Sequence, residues 1–179
     1  PFGLIGTAVA FMIGFQNNAV YDRIWEARKI WGGIVNESRT FGAFVQNMVT
    51  NEYAKSPQSE KRLQEEIRIL TYRHIAWITA LRYAMRNLKS WETAVQHKTN
   101  SEWGMQPPEW KVKLEDELRN YLSDEDLENI LNRGNHQTAL LYQQSKHLRA
   151  LKEEGLVWEF SFLELEGLIQ QFFNLQGKT

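Results

Sequence analysis

The sequence begins with an uncharged apolar segment that becomes amphipathic within a few residues. Residues 2–15 carry no charge and contain several glycines, Gln16 and two asparagines follow, and charged and aromatic side chains arrive together from residue 21. The core helix of a soluble protein is amphipathic around its axis and rarely changes character along its length. The pattern therefore favours a helix that leaves an apolar environment and enters water near Gln16.

The apolar segment is too short to identify its environment by length alone. A helix that spans a bilayer needs about 20 apolar residues, whereas runs of about 10–14 are also typical of buried core helices. The chain starts at Pro1, and no basic stretch precedes the segment, which is therefore not typical of a signal peptide. We expect either half of a membrane helix, in a chain cut from a larger protein, or a buried N-terminal core helix.

The composition argues against several classes of function. The formal net charge of −1 over 179 residues gives a nucleic-acid partner no electrostatic support. The sequence contains no cysteine, which excludes disulfides and zinc–thiolate sites. Its seven tryptophans favour half-exposed positions such as subunit interfaces and membrane edges. We therefore expect an assembling protein that does not bind nucleic acid.

The rest of the sequence predicts an all-α fold, a bundle of long helices. Between residues 25 and 48 apolar side chains recur every three or four positions, which is the helical period. Helices are predicted over residues 2–53, 60–88, 109–121, 124–132, 135–154 and 157–175, with a loop at 54–59 and an irregular stretch at 89–108. Ser123 has the spacing of an N-cap, and Gly134 and Gly155 are predicted to end helices. The arginines of the second helix, Arg73 among them, are predicted on its wetter faces.

No combination of residues predicts an enzyme, a cofactor or a metal site. The histidines lack the spacing of metal ligands, and the sequence has neither a glycine-rich phosphate loop nor a nucleophile elbow. We expect His74 to be a structural histidine and His147 to be exposed. The acidic run over residues 124–128 lacks the central glycine of a calcium loop and is predicted to be the first turn of a capped helix.

Thr7, Phe11 and Phe15 form a stripe along the N-terminal helix, because positions i, i+4 and i+8 share one helix face. Small residues, which let membrane helices pack closely, occupy the other faces: Gly3, Gly6, Ala8, Ala10 and Gly14. In a ring of such helices the stripe would form a hydrophobic constriction, which is one way in which pores gate. The alternative is a soluble core helix whose phenylalanines only pack.

Several motifs follow one another over residues 14–32: Gly14-Phe15, Asn17-Asn18, Tyr21-x-Arg23, Glu26-Ala27-Arg28 and Trp31-Gly32. Together they resemble the second membrane helix and neck of the bestrophin family, in its bacterial branch. The rest of the chain resembles the helical cytosolic region of that family more loosely. Its last predicted helix is similar to the helix that precedes the third membrane helix.

The resemblance implies a homopentameric ion channel of the cell membrane, multi-pass in the full-length protein, whose subunits form a ring around one pore. Residues 1–18 would be the end of a membrane-spanning pore helix, and residues 19–179 a cytosolic helical domain. The neck positions of the family fall on Thr7, Phe11 and Phe15, and Thr7 departs from the usual aliphatic or aromatic residue. The implied partners are identical subunits, membrane lipid and permeating ions, either anions such as chloride or monovalent cations.

Two further predictions concern the cytosolic part. The family has a second constriction at the cytosolic exit, which the resemblance places at Phe160. Four charged residues lie just below the predicted neck: Asp22, Arg23, Glu26 and Arg28. We expect them to pair within and between subunits instead of forming a selectivity ring. The calcium-sensing cluster of animal bestrophins has no counterpart in this chain, so calcium regulation is not implied.

A different class of function also fits the sequence. A soluble α-helical oligomerisation or interaction domain without catalytic activity would associate through Trp25, Trp31 and the apolar residues of 158–173.

Overall fold

The computed structural model describes residues 2–87, 98, 102 and 107–179, and these residues form six α-helices. The helices are α1 (Phe2–Met48), α2 (Glu60–Arg86), α3 (Leu114–Leu118), α4 (Asp124–Leu131), α5 (His136–Glu154) and α6 (Glu159–Gln176). The only β-type pairing within the described ranges is an isolated bridge between Val49 and Val157. The all-α prediction is confirmed.

The predicted boundaries agree with the structure within about five residues, except for the third helix. Residues 109–121 were predicted as one helix, but the structure has a 3₁₀ turn at Pro108–Trp110 and then the short α3. The extended backbone of Lys113 (φ −73°, ψ 145°) separates the two. Most of the irregular stretch predicted over 89–108, with Trp91 and Trp103, lies outside the described residues.

Side-chain caps set the start of three helices. The hydroxyl of Ser59 accepts a hydrogen bond from the backbone N–H of Arg62, that of Ser123 from Asp126, and the side chain of Asn135 from Thr138. These oxygens satisfy N–H groups that have no partner within the first helical turn. The N-cap predicted at Ser123 is confirmed, although α4 ends at Leu131, before Gly134.

The helix α1 is continuous over 47 residues, but only its second part belongs to the bundle. Burial begins at Ile30 and continues at Ile34, Phe41 and Val45, which pack towards α2 and α6. Residues 3–29 are all exposed. The helix does not break at residue 18, and the domain boundary there stays a prediction. The single chain therefore does not show the buried N-terminal core helix that was the alternative expectation.

Aromatic rings from α1, α2 and α6 meet in the centre of the bundle. The ring of Phe172 lies 4.9 Å from Trp77, 4.7 Å from His74 and 5.9 Å from Phe41, measured between centroids. The Nε2 of His74 is 2.9 Å from the Ser38 hydroxyl of α1, and burial lowers the pKa of His74 to about 4. The prediction that His74 is structural is confirmed.

Two predictions about α2 and α5 are wrong. Arg73 was placed on a wet face, but only 7% of its side chain is exposed, because it lies between α2, α4 and α5 and meets the carboxylate of Asp126. His147 was expected to be exposed, but its side chain is 19% exposed and hydrogen-bonded to Arg73 and Glu66. The packing of α4 and α5 against α2 covers both side chains and brings polar partners to them: Asp126 and His147 to Arg73, and Arg73 and Glu66 to His147.

Candidate pore helix and its surroundings

The structure places Thr7, Phe11 and Phe15 on one face of α1, as their spacing predicts. The rings of Phe11 and Phe15 lie 6.4 Å apart at an interplanar angle of 25°, and the two side chains are 64% and 71% exposed. The Thr7 hydroxyl donates a 2.9 Å hydrogen bond to the backbone carbonyl of Gly3. Because this bond uses the hydroxyl proton of Thr7 within its own helix, the proton is not available to donate a hydrogen bond to another group on this face.

The three stripe residues and four of the five small residues line one shallow groove, so these small residues lie next to the stripe and not on separate faces as predicted. The groove has a volume of about 710 Å³, and its lining includes Gly3, Gly6, Ala10 and Gly14. A Cβ added at any of these three glycines would meet no atom within 4 Å. The packing of the single chain therefore does not require them to be small. Close approach by another helix would require it.

The same helix is apolar enough to cross a membrane. Among the described residues, only the helical segment Gly3–Met48 contains an 18-residue window of sufficient hydropathy, with a mean hydropathy of 1.2. Core helices of soluble proteins also reach such values, but they are mostly buried, whereas none of this window is buried. The assignment as a possible membrane helix rests on the length and the composition of the segment. The exposure of the window favours a membrane or neighbouring subunits over a core of the same chain.

The four charged residues below the stripe are all exposed in the single chain. Glu26 forms an ion pair of 2.5 Å with Lys29, one turn further along the helix. Both side chains are more than half exposed, and such pairs contribute about 0–1 kcal/mol. Within the described part of the chain Asp22, Arg23 and Arg28 form no ion pair, and their pairing between subunits stays a prediction.

Phe160 lies at the far end of the molecule from the stripe. It is 62% exposed in the first turn of α6, and its ring is 4.7 Å from Trp158, which stacks on Tyr53 at 5.3 Å. The bridge between Val49 and Val157 holds this end of α6 beside the C-terminal end of α1. From Phe15 to Val49 the helix rises about 50 Å. Phe160 and the neck residues therefore belong to separate sites.

Sequence reasoning missed a cluster of buried and half-buried polar residues between α2, α4 and α5. The Arg73 guanidinium donates to Asp126 at 2.9 Å and lies 2.9 Å from the His147 ring, whose other nitrogen is 2.8 Å from Glu66. Burial lowers the pKa of His147, and the Arg73 charge lowers it further. A signal was present, because Arg73 lies three residues after Leu70 and four before Trp77, on the buried face of α2.

No group of three histidine, aspartate or glutamate side chains within the described residues could hold a metal ion. The acidic start of α4 is a capped helix turn with Leu127 and Ile130 buried beneath it, as predicted. Pockets elsewhere are lined by residues that the bundle uses for its own contacts, such as Arg73 and Tyr72. The pore-helix stripe is therefore the candidate site that the geometry distinguishes.

Comparison with known proteins decides the family. The model of the family described as Bacterial/Fungal Bestrophin protein matches residues 1–179. The chain belongs to this bestrophin family. The resemblance carried by residues 14–32 is thereby confirmed, and membership supports the prediction that the chain is not an enzyme.

Individual relatives of this bestrophin-family chain carry channel names. A voltage-dependent anion channel-forming protein of Ralstonia nicotianae is 60% identical over 40 residues, which are 22% of this chain and 13% of the relative. The voltage-dependent anion channel-forming protein YneE of Escherichia coli K12 is 27% identical over 165 residues, which are 92% of this chain and 42% of YneE.

The fold also matches a solved bestrophin. A crystal structure of a bacterial bestrophin homologue from Klebsiella pneumoniae superposes with a TM-score of 0.74 at 21% identity, covering 99% of this chain and 54% of that one. At this identity the match shows the fold alone. The chain spans about half the length of the proteins that it matches along its full length.

Proposed function

We propose that this chain supplies the neck helix and the cytosolic bundle of a homopentameric ion channel in the cell membrane. One observation carries the proposal: the apolar first part of α1 is exposed on all sides in a chain that belongs to the bestrophin family. The channel names of its relatives support ion conduction. Membrane lipid and four identical subunits would cover the faces that the single chain leaves bare.

In the proposed ring, five copies of α1 surround one axis and direct Phe11 and Phe15 towards it. An ion that lost its hydration shell among these rings would gain no compensating ligand, so a narrow dry neck is closed to ions. Conduction then requires the neck to widen or to stay wet. The satisfied hydroxyl of Thr7 keeps the outer end of the stripe nearly as apolar as the rest.

Whether the proposed neck favours anions or cations depends on the orientation of the Phe11 and Phe15 rings relative to the pore axis. Aromatic edges carry partial positive charge and favour anions, whereas aromatic faces favour cations. Because the planes of Phe11 and Phe15 differ by only 25°, the two rings would present similar surfaces to the axis. We propose anions such as chloride, supported by the names of the relatives, with monovalent cations as the alternative.

The remaining parts have subsidiary roles in this proposal. Residues 1–18 lie in the membrane part and residues 19–179 in the cytosol. Phe160 forms a second constriction at the cytosolic exit, supported by its exposure at the end of α6 remote from the neck. The charged residues after Asn18 pair between neighbouring helices just below the membrane.

The neck assignment is tested by single-channel recording of the full-length protein in planar bilayers. Phe11→Ala and Phe15→Ala remove rings from the stripe and are expected to raise conductance or leak. Val9→Ala is the matched control, because Val9 lies about 160° around the helix from Phe11 and about 120° from Phe15 and is also exposed. Currents of both phenylalanine variants equal to those of wild type would show that the stripe does not line the pore.

Two measurements test the assembly and the ion selectivity of the proposed channel. The mass of the detergent-solubilised full-length protein is expected to equal five subunits. Reversal potentials under a chloride gradient then decide between anions and cations. A water-soluble protein that produces no current would support the interaction domain instead.

A further inference from the structure

Five polar side chains connect α2, α4 and α5 inside the cytosolic bundle. One amino group of Arg73 donates to Asp126 of α4 at 2.9 Å, and the other is 2.9 Å from Nδ1 of His147 and 3.5 Å from Oε1 of Gln144, both on α5. The other ring nitrogen of His147, Nε2, is 2.8 Å from the carboxylate of Glu66, which also lies on α2. His147 thus lies between a cation and an anion of the same helix.

The hydrogen-bond pattern selects one protonation state of His147. Arginine can only donate, so Nδ1 of His147 must accept from Arg73 and carry no proton. Nε2 then carries the proton and donates it to Glu66. A second proton on Nδ1 would set two donors and two positive charges face to face at 2.9 Å. The observed geometry therefore fits the neutral ring alone.

We propose that Arg73, His147 and Glu66 form a pH-sensitive latch, in which neutral His147 holds α5 to α2 and protonation of its ring breaks the contact with Arg73. The proton comes from solvent and no covalent bond changes. Arg73 keeps its ion pair with Asp126, and α5 keeps the contact of His147 with Glu66 but loses the hydrogen bond to Arg73. The latch is separate from the neck residues and does not depend on ion conduction.

The charges around His147 set the direction of the effect. Burial is the main cause that lowers its pKa below the ordinary value of 6.5, the Arg73 charge adds to it, and Glu66 and Asp126 oppose both. Two more charged residues join this group through Glu66: Arg62, which is 3.5 Å from it, and Glu154, which is 2.7 Å from Arg62. As the pH falls below 6.5, His147 is protonated in unfolded chains before it is protonated in folded ones. The free energy of unfolding therefore decreases on acidification from neutral pH.

The test follows thermal unfolding of the full-length protein in detergent at about pH 7.5 and about pH 5.5, on either side of the ordinary histidine pKa. His147→Gln keeps an acceptor for Arg73 and a donor for Glu66 but cannot titrate. His136→Gln, at the start of the same helix, is the control. Wild type and the control are expected to lose about 2–4 °C of Tm more than His147→Gln on acidification. Equal losses in all three proteins would overturn the latch.

A second measurement keeps the proposal testable if His147→Gln does not fold. Histidine-selective isotope labelling and NMR report the tautomer and the titration of His147 directly. We expect the proton on Nε2 at neutral pH, and a titration that moves to lower pH in Glu66→Gln, because Glu66 raises the pKa. A proton on Nδ1, or a titration that Glu66→Gln leaves unchanged, would contradict the proposal.

Discussion

Gly155 offers a sharp test of how the end of α1 is attached to the rest of the bundle. It ends α5 in the left-handed conformation (φ 79°), and its N–H donates back to Leu151 and Lys152. Its neighbours bind the segment that follows α1: Thr50 donates to the carbonyl of Leu156 at 2.9 Å, and Lys55 donates to that of Glu154 at 3.1 Å. Gly155 therefore lies between two hydrogen bonds that join the end of α5 to the segment after α1.

Gly155→Ala introduces two costs at this point. A side chain in the left-handed region costs about 1–2 kcal/mol. The new Cβ would also overlap the backbone carbonyl of Tyr53 and lie 3.2 Å from Cα of Ala54, and backbone atoms cannot rotate away as a side chain can. Displacing that segment strains or breaks a flanking hydrogen bond, worth about 0.5–1.5 kcal/mol. The sum is a loss of about 1.5–3.5 kcal/mol, or about 3–14 °C in Tm.

Tryptophan fluorescence during thermal unfolding measures this loss. Trp158, one of the seven tryptophans that contribute to the signal, stacks on Tyr53 beside the mutated turn. Gly42→Ala is the control, because Gly42 is helical and a Cβ there meets nothing within 4 Å. We expect it to be neutral or to add about 0.5–1 kcal/mol. A Gly155→Ala protein that unfolds within about 2 °C of wild type would refute the reasoning.

Two smaller tests concern the core and a helix cap, both read from thermal or denaturant unfolding. Phe172→Ala removes the ring that packs on His74 and Trp77 and is expected to cost about 3–5 kcal/mol, whereas the half-exposed Phe173 on the same helix is expected to lose less when changed to Ala. Ser123→Ala deletes the cap of α4 and is expected to cost about 1 kcal/mol; no loss would mean that water replaces the hydroxyl.

The elements that could be predicted from the sequence are those that local rules determine. The period of Ile30, Ile34, Phe41 and Val45 marks the buried face of α1, and each of these residues is buried. Gly155 ends α5 because only glycine adopts its φ without strain. The extended residue before α3 was not predictable, because the charged run over residues 111–117 suits a helix as well as a turn.

The position of Arg73 between Leu70 and Trp77 indicated that it is buried, but its partners could not be predicted because they are distant in sequence. Arg73 is 53 residues from Asp126 and 74 from His147. Arginine on an amphipathic helix is usually solvated, and only the packing of α4 and α5 against α2 brings acceptors to it. The stripe on α1, by contrast, follows from spacing alone, since positions 7, 11 and 15 share a helix face whatever surrounds them.

The length of α1 connects the proposed neck to the core of the helical bundle. Its 47 residues extend about 70 Å, more than twice the roughly 30 Å of hydrocarbon in a bilayer. Residues from Ile30 onward are held by α2 and α6, while the exposed stripe ends at Phe15. An unbroken helix transmits rotation and tilt from one end to the other. In the proposed ring, the packing of Phe41 against Phe172 would therefore help to set how far five copies of Phe11 stand from the axis.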